Sequence, residues 1–134
     1  LDNIHFFGPR PYQDLPGYLK RFDVALIPFT IDDVTIKASP IKFYEYLASG
    51  VPIVSTRLPD LLEYGDLVEL VENSEEFIKG LERALIMNKN QDKLMRINVS
   101  QKCSWKHRFE QLGNYIEKGL KEKYKANETG ISHK

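Results

Sequence analysis

Residues 39–56, Ser39-Pro40-Ile41-Lys42-Phe43-Tyr44-Glu45-Tyr46-Leu47-Ala48-Ser49-Gly50-Val51-Pro52-Ile53-Val54-Ser55-Thr56, read as a capped helix that runs through a glycine stop into a buried strand. Ser39 suits an N-cap, because its hydroxyl oxygen can accept from the first free backbone N–H groups. Pro40 suits the first helical position, where a missing N–H costs nothing. Gly50 can take the left-handed conformation that ends a helix. On a helical wheel Ile41, Phe43, Tyr44, Leu47 and Ala48 form one apolar face. Glu45 sits at the edge of that face, three residues after Lys42. A carboxylate there is either half of a surface ion pair or a hook for a ligand.

Working outward, Asn3–Phe7 reads as a short strand ended by Gly8-Pro9-Arg10-Pro11. Asp14 looks like an N-cap with Pro16 in the first turn, and Leu15, Tyr18, Leu19 and Phe22 follow at helical spacing. Asp23–Phe29 is a near-continuous apolar run that suits a strand covered on both faces. Thr30–Ala38 is a polar loop. After the strand Pro52–Ser55, Leu58–Tyr64 reads as a short helical turn and Leu67–Val71 as a fourth, more exposed strand. A helix from Ser74 should bury Phe77, Ile78, Leu81, Ala84 and Leu85. Leu94, Ile97 and Val99 mark another short helix. Trp105, Phe109, Leu112, Ile116 and Leu120 then stripe a long C-terminal helix that reaches about Tyr124. Residues 126–134 read as a flexible polar tail.

Strands alternating with helices in short units give an α/β fold: a Rossmann-like parallel sheet of about four strands with flanking helices. Ligands of such sheets sit outside the carboxyl ends of the strands. Gly8-Pro9-Arg10, Pro28-Phe29-Thr30 and Ser55-Thr56 all arrive at that edge, and so does the tip of the Pro40 helix. The amides of Ile41, Lys42 and Phe43, together with the Lys42 ammonium, suit a diphosphate there. One turn on, Glu45 could accept from the vicinal hydroxyls of a ribose, as acidic residues do in dinucleotide folds. The alternative is a Lys42–Glu45 surface pair worth a few tenths of a kcal/mol, about 0.3. Arg10 is open to either nucleotide contact or plain solvation.

Composition narrows the classes. The 134 residues fit one domain, and 19 basic residues balance 19 acidic ones, which argues against a whole-surface nucleic-acid binder. One cysteine, Cys103, excludes an internal disulfide framework and fits a reducing, cytoplasmic compartment; it reads as a buried thiol beside a core tryptophan. No apolar run is long enough to span a membrane. His5, His107 and His133 show no metal-ligand spacing, and Asp32-Asp33 in a polar loop reads as a solvated pair. Because Leu1-Asp2-Asn3 leads straight into an apolar run, the chain reads as the C-terminal part of something longer.

The order of these segments resembles the donor-binding lobe of retaining GT-B glycosyltransferases of family 4, the group 1 type. The resemblance covers roughly residues 3–122. It rests on residues 39–56, on Asn3–Gly8 ahead of the Pro-Tyr-x-Asp-Leu-Pro-x-Tyr-Leu helix at 11–19, on Phe22–Phe29, and on Ser104-Trp105 with Arg108 opening the last helix. It implies that residues 1–125 are a partial C-terminal GT-B lobe binding a nucleotide-diphosphate-sugar, with no cofactor and no metal. A similar branch works in bacterial surface-polysaccharide assembly. In that reading Glu45 holds the donor ribose, residues 40–42 receive the diphosphate behind Ser39, and Gly8, Pro9 and Arg10 lie beside the nucleobase, with Thr30 at the same edge.

Two departures stand out. The first acidic residue of the family's Glu, seven residues, Glu motif should fall at position 37, which is Lys37. Upstream strands, a basic pair and the N-terminal acceptor-binding lobe of the family are also absent. The chain alone is therefore expected to be inactive, and the full enzyme is expected to act on a hydroxyl acceptor with room for peripheral membrane association. Ile4–Phe7 and Val24–Phe29, separated by two strands in the family, must re-pair or leave open edges that invite self-association. The alternative function is a non-catalytic interaction or regulatory module derived from such a lobe.

Overall fold

Alternation along three short apolar segments decides which helix covers which face. The computed structural model describes residues 1–86 and 90–130. Its one sheet contains β1 (Ala25–Ile27), β2 (Ile53–Thr56) and β3 (Glu69–Val71), parallel and in that spatial order. Ala25 lies opposite Ile53, Val54 opposite Glu69, and Thr56 opposite Val71. Five helices accompany it among the described residues: α1 (Leu15–Leu19), α2 (Ile41–Ser49), α3 (Ser74–Ile86), α4 (Asn90–Lys102) and α5 (Trp105–Gly130). The chain divides into two compact units, Leu1–Ser100 and the segment from Gln101 onward.

Within the first unit, Ile53 and Val54 are neighbours and so point to opposite faces of the sheet. Ile53 and Ile27 share a buried cluster with Phe43 and Leu47 of α2 and with Leu58, Leu61 and Val68. Val54 and Val71 pack instead with Ala84 of α3, flanked by Phe77 and Leu81. Helices α2 and α3 therefore cover opposite faces, the three-layer solution for a parallel sheet. Gly80 lets α3 sit directly on the strands: a Cβ there would lie 2.9 Å from Val71 Cγ1 and 3.3 Å from Val54 Cγ1. Gly50 ends α2 as expected, with φ +74° and its N–H donating to the carbonyls of Tyr46 and Leu47.

Several expectations need correction. Asn3–Phe7 forms no strand, and Phe6 is 94% exposed. A segment of strand-forming residues needs a neighbour to accept its backbone, and this one has none, so the sheet has three strands. The β1 strand is shorter than the apolar run and is not covered on both faces, since Leu26 is 41% exposed and β2 is its sole partner. On α2 only Phe43 and Leu47 are buried, whereas Ile41 is 75% exposed and Ala48 also faces solvent. On α3 the inward face is Phe77, Gly80, Leu81 and Ala84; Ile78 and Leu85 are exposed. His5 accordingly lies in an irregular, exposed segment.

The second unit is built on α5, which continues to Gly130 rather than ending near Tyr124. Residues 131–134 of the expected tail lie outside the described residues. Trp105 is 75% exposed rather than a core residue, and Cys103 is half-buried. The Trp105 ring meets Phe109 at a centroid separation of 6.4 Å and carries the Arg108 guanidinium 5.9 Å from its centroid. The apolar stripe through Leu112, Ile116 and Leu120 is present and exposed.

The two ends of the α2 wheel should respond differently to truncation. Phe43→Ala should cost about 3–5 kcal/mol, much of a small domain's stability of about 5–15 kcal/mol. Ile41→Ala should stay within about 0.5 kcal/mol. Urea unfolding monitored for the first unit checks both.

Candidate functional site

Parallel order with α2 as the crossover puts the tip of α2 at the carboxyl edge of the sheet, beside the exits of β1 and β2. The β1 exit passes through Pro28-Phe29-Thr30 into the polar loop. Asp32 organises that loop: its Oδ1 accepts from the N–H of Val34 at 2.9 Å and of Thr35 at 2.7 Å. The Thr35 hydroxyl donates back to Asp32 Oδ1 at 3.0 Å and to the Thr30 carbonyl. A one-turn 3-10 helix follows at Thr35–Lys37 and packs against the 3-10 turn Pro59–Tyr64 that leaves β2. These two turns flank the start of α2.

The helix start differs from the expected cap by one residue. Pro40, buried and extended (ψ 111°), occupies the N-cap position, and no side chain caps the helix; Ser39 is exposed. Because Pro40 is itself extended, the helix begins at Ile41 and Ser39 lies one step too far back. The Phe43 N–H donates to the Pro40 carbonyl at 3.0 Å, so it is not free. Ile41 and Lys42 keep backbone N–H groups with no partner among the described residues, as the first turn of a helix must.

Lys42 is exposed and Glu45 half-buried. Neither forms an ion pair or hydrogen bond through its side chain among the described residues, so the surface pair that would have accounted for both is not made. Tyr46 beside Glu45 has its hydroxyl pKa raised, chiefly by burial and further by the Glu45 charge. Behind the tip, Phe43 meets Tyr64 at 4.9 Å and Tyr44 at 5.4 Å, centroid to centroid, in an aromatic cluster that joins α2 to the turn after β2. Arg57 and Glu72 pair at 3.8 Å across the exits of β2 and β3.

The structure thus puts Ile41, Lys42 and Glu45 on one helix, Ser39 and Pro40 immediately before it, and Thr30 at the head of the loop that leads to it. It supplies no strand to deliver Gly8, Pro9 and Arg10 to the same edge. Those residues are exposed, with Gly8 in the left-handed region (φ +66°), and Phe7 ahead of them rests on Tyr18 of α1 at 6.0 Å. The Asp32–Thr35 anchor was not foreseen, although an aspartate three residues before a threonine in a polar loop is a known local bonding pattern. Among the described residues no three His, Cys, Asp or Glu side chains cluster to hold a metal ion.

Sequence comparison bears on this edge directly. The family model described as "Glycosyl transferases group 1" matches residues 1–86, the stretch that contains β1, the loop, α2 and β2. The chain belongs to this family. It is also 29% identical over 120 residues to TuaH of Bacillus subtilis (strain 168), a protein named as a teichuronic acid biosynthesis glycosyltransferase. That match covers 86% of this chain and 30% of TuaH, so the chain spans under a third of its relative's length. No solved structure matches the chain with significance.

The loop ahead of α2 makes a pH prediction. Hydrogen bonds from the Thr35 backbone first, then from the Thr35 hydroxyl and the Val34 N–H, hold Asp32 below the usual aspartate range. A depressed folded pKa means that the anchor is fully present above the unfolded value and is lost as pH falls through the folded one. The Val34 and Thr35 amide resonances should therefore titrate together with a midpoint below that of an aspartate in an unfolded chain. A midpoint at or above that value, or no change in Asp32→Asn, would refute the anchor.

Proposed function

We propose that this chain is the donor-binding part of a glycosyltransferase that moves a sugar from a nucleotide-diphosphate-sugar to a hydroxyl acceptor in bacterial surface-polysaccharide synthesis. The observation that carries this reading is the half-buried Glu45, with no ion pair or hydrogen bond through its side chain among the described residues, one turn along a helix whose first two amides likewise have no partner among them. A carboxylate left unpaired and partly out of water is costly unless something accepts it. The vicinal hydroxyls of a ribose are suitable donors. The Ile41 and Lys42 amides and the Lys42 ammonium would hold the diphosphate and stabilise it as its charge grows on leaving the sugar.

The helix dipole alone offers about 0.3–1 kcal/mol to an anion at its tip, so Lys42 and the directed amides must supply most of the hold. The family name and the name of TuaH support a transferase working on cell-surface polymers. A second, acceptor-binding lobe belongs to the same proposal, and so does a cytoplasmic site of action. No described helix is long and apolar enough to cross a membrane. Lys37 favours a second reading, a non-catalytic module, since the family resemblance calls for a glutamate there.

Isothermal titration of the chain with uridine, guanosine and adenosine diphosphates separates the two. At least one should bind. Glu45→Ala should weaken it roughly tenfold, as expected for losing hydrogen bonds to a charged group, while inorganic pyrophosphate binds unchanged. Unchanged nucleotide affinity in Glu45→Ala refutes the ribose role, and no binding at all supports the module. With nucleotide sugars and no second lobe, the chain should transfer nothing.

A further inference from the structure

Helix α2 is gripped at the end opposite its tip. Gly50, its last cap, presents a carbonyl that accepts the Nε–H of Arg96 on α4 at 3.0 Å. Arg96 is only 5% exposed, and its Nη2 is buried without a hydrogen-bond partner among the described residues. Burial pushes the guanidinium pKa down, and the Asp92 carboxylate one turn back on α4 only partly offsets this. Helix α4 also lies flush on the turn: a Cβ at position 50 would meet Lys93 Cγ at 2.6 Å and Ile97 Cδ1 at 3.1 Å.

A buried guanidinium with one nitrogen unsatisfied is a poor source of stability, because desolvation offsets what its bonds contribute. What it supplies is direction. The apolar seat of Phe43 and Leu47 chooses the face of α2 that is buried, but apolar contact is non-directional and resists sliding along the helix axis only weakly. A hydrogen bond to the final carbonyl, made by a cation at the negative pole of the helix, fixes both axial position and rotation. The tip lies about 14 Å away along a rigid nine-residue rod, at about 1.5 Å per residue.

We propose that Arg96 is a positioning residue of the donor site, locking α2 so that the Ile41 and Lys42 amides and the Glu45 carboxylate are presented as one preformed set. This rests on the donor-site reading of α2 given above. Arg96 lies beyond residues 1–86, the part of the chain that the family model matches.

The test compares the wild-type chain with Arg96→Met and Arg96→Lys, by amide hydrogen exchange and by titration with uridine, guanosine and adenosine diphosphates. In Arg96→Met, protection at Leu47 and Ala48 should fall roughly tenfold while Val54 and Val71 keep theirs, and nucleotide affinity should fall with it. Arg96→Lys, which keeps a cation at the helix end, should restore part of both. Equal loss at α2 and at the sheet, which marks a merely structural role, overturns the proposal. So does an unchanged α2, or an unchanged affinity once α2 has loosened. If Arg96→Met does not fold, Arg96→Lys carries the same comparison. A wild-type chain that binds none of the three diphosphates overturns the donor-site reading and this role with it; binding that survives Arg96→Met at full strength overturns this role alone.

Discussion

The contact of Phe43 and Leu47 with Ile27 and Ile53 is the constraint on which the rest of the first unit depends. A nine-residue helix is too short to persist in water by itself, so α2 exists because its inward side chains are buried. Each fully buried Phe or Leu contributes about 1.5–3 kcal/mol, enough to offset much of the cost of ordering one helical turn. Once that seat is taken, the parallel crossover leaves the helix tip a single destination, the carboxyl edge of β1 and β2. The site is therefore a product of core packing and not of local propensity.

Around the tip, different interactions carry different weight. The exposed Arg57–Glu72 pair at 3.8 Å is of the kind that contributes about 0–1 kcal/mol, so it trims the edge without building it. The loop from Thr30 to Ala38 owes its shape to Asp32, which gathers two backbone amides and a hydroxyl on one oxygen. The Phe43–Tyr44–Tyr64 cluster ties the opposite wall to the same helix. Two turns of different origin thus converge on α2, and both are held by bonds that do not involve Lys42 or Glu45.

Much of this was legible in residues 39–56. Gly50 announces a left-handed stop, and Pro52–Ser55 announces a buried strand, because each uses residue types with few other conformational options. Segments that need a distant partner were not legible. Asn3–Phe7 has the composition of a strand but no neighbour with which to pair, and composition cannot reveal that. The helical wheel of α2 counted Ile41 and Ala48 as equal to Phe43 and Leu47, since a wheel cannot say where the opposing surface ends. Ser39 was one residue too early as a cap because Pro40 takes an extended backbone and so stands outside the helix. Arg96 carried no signal at all: a lone basic residue on a polar helix gives no hint that it reaches the end of another.

Lys37 closes a single 3-10 turn whose geometry is dictated by Asp32 and Thr35, and its own side chain is exposed. Position 37 is thus uncoupled from folding. Its side chain can be exchanged without disturbing the scaffold, so mutation there is structurally cheap. A library randomised at this codon alone would vary the mouth of the loop while the architecture behind it stays fixed.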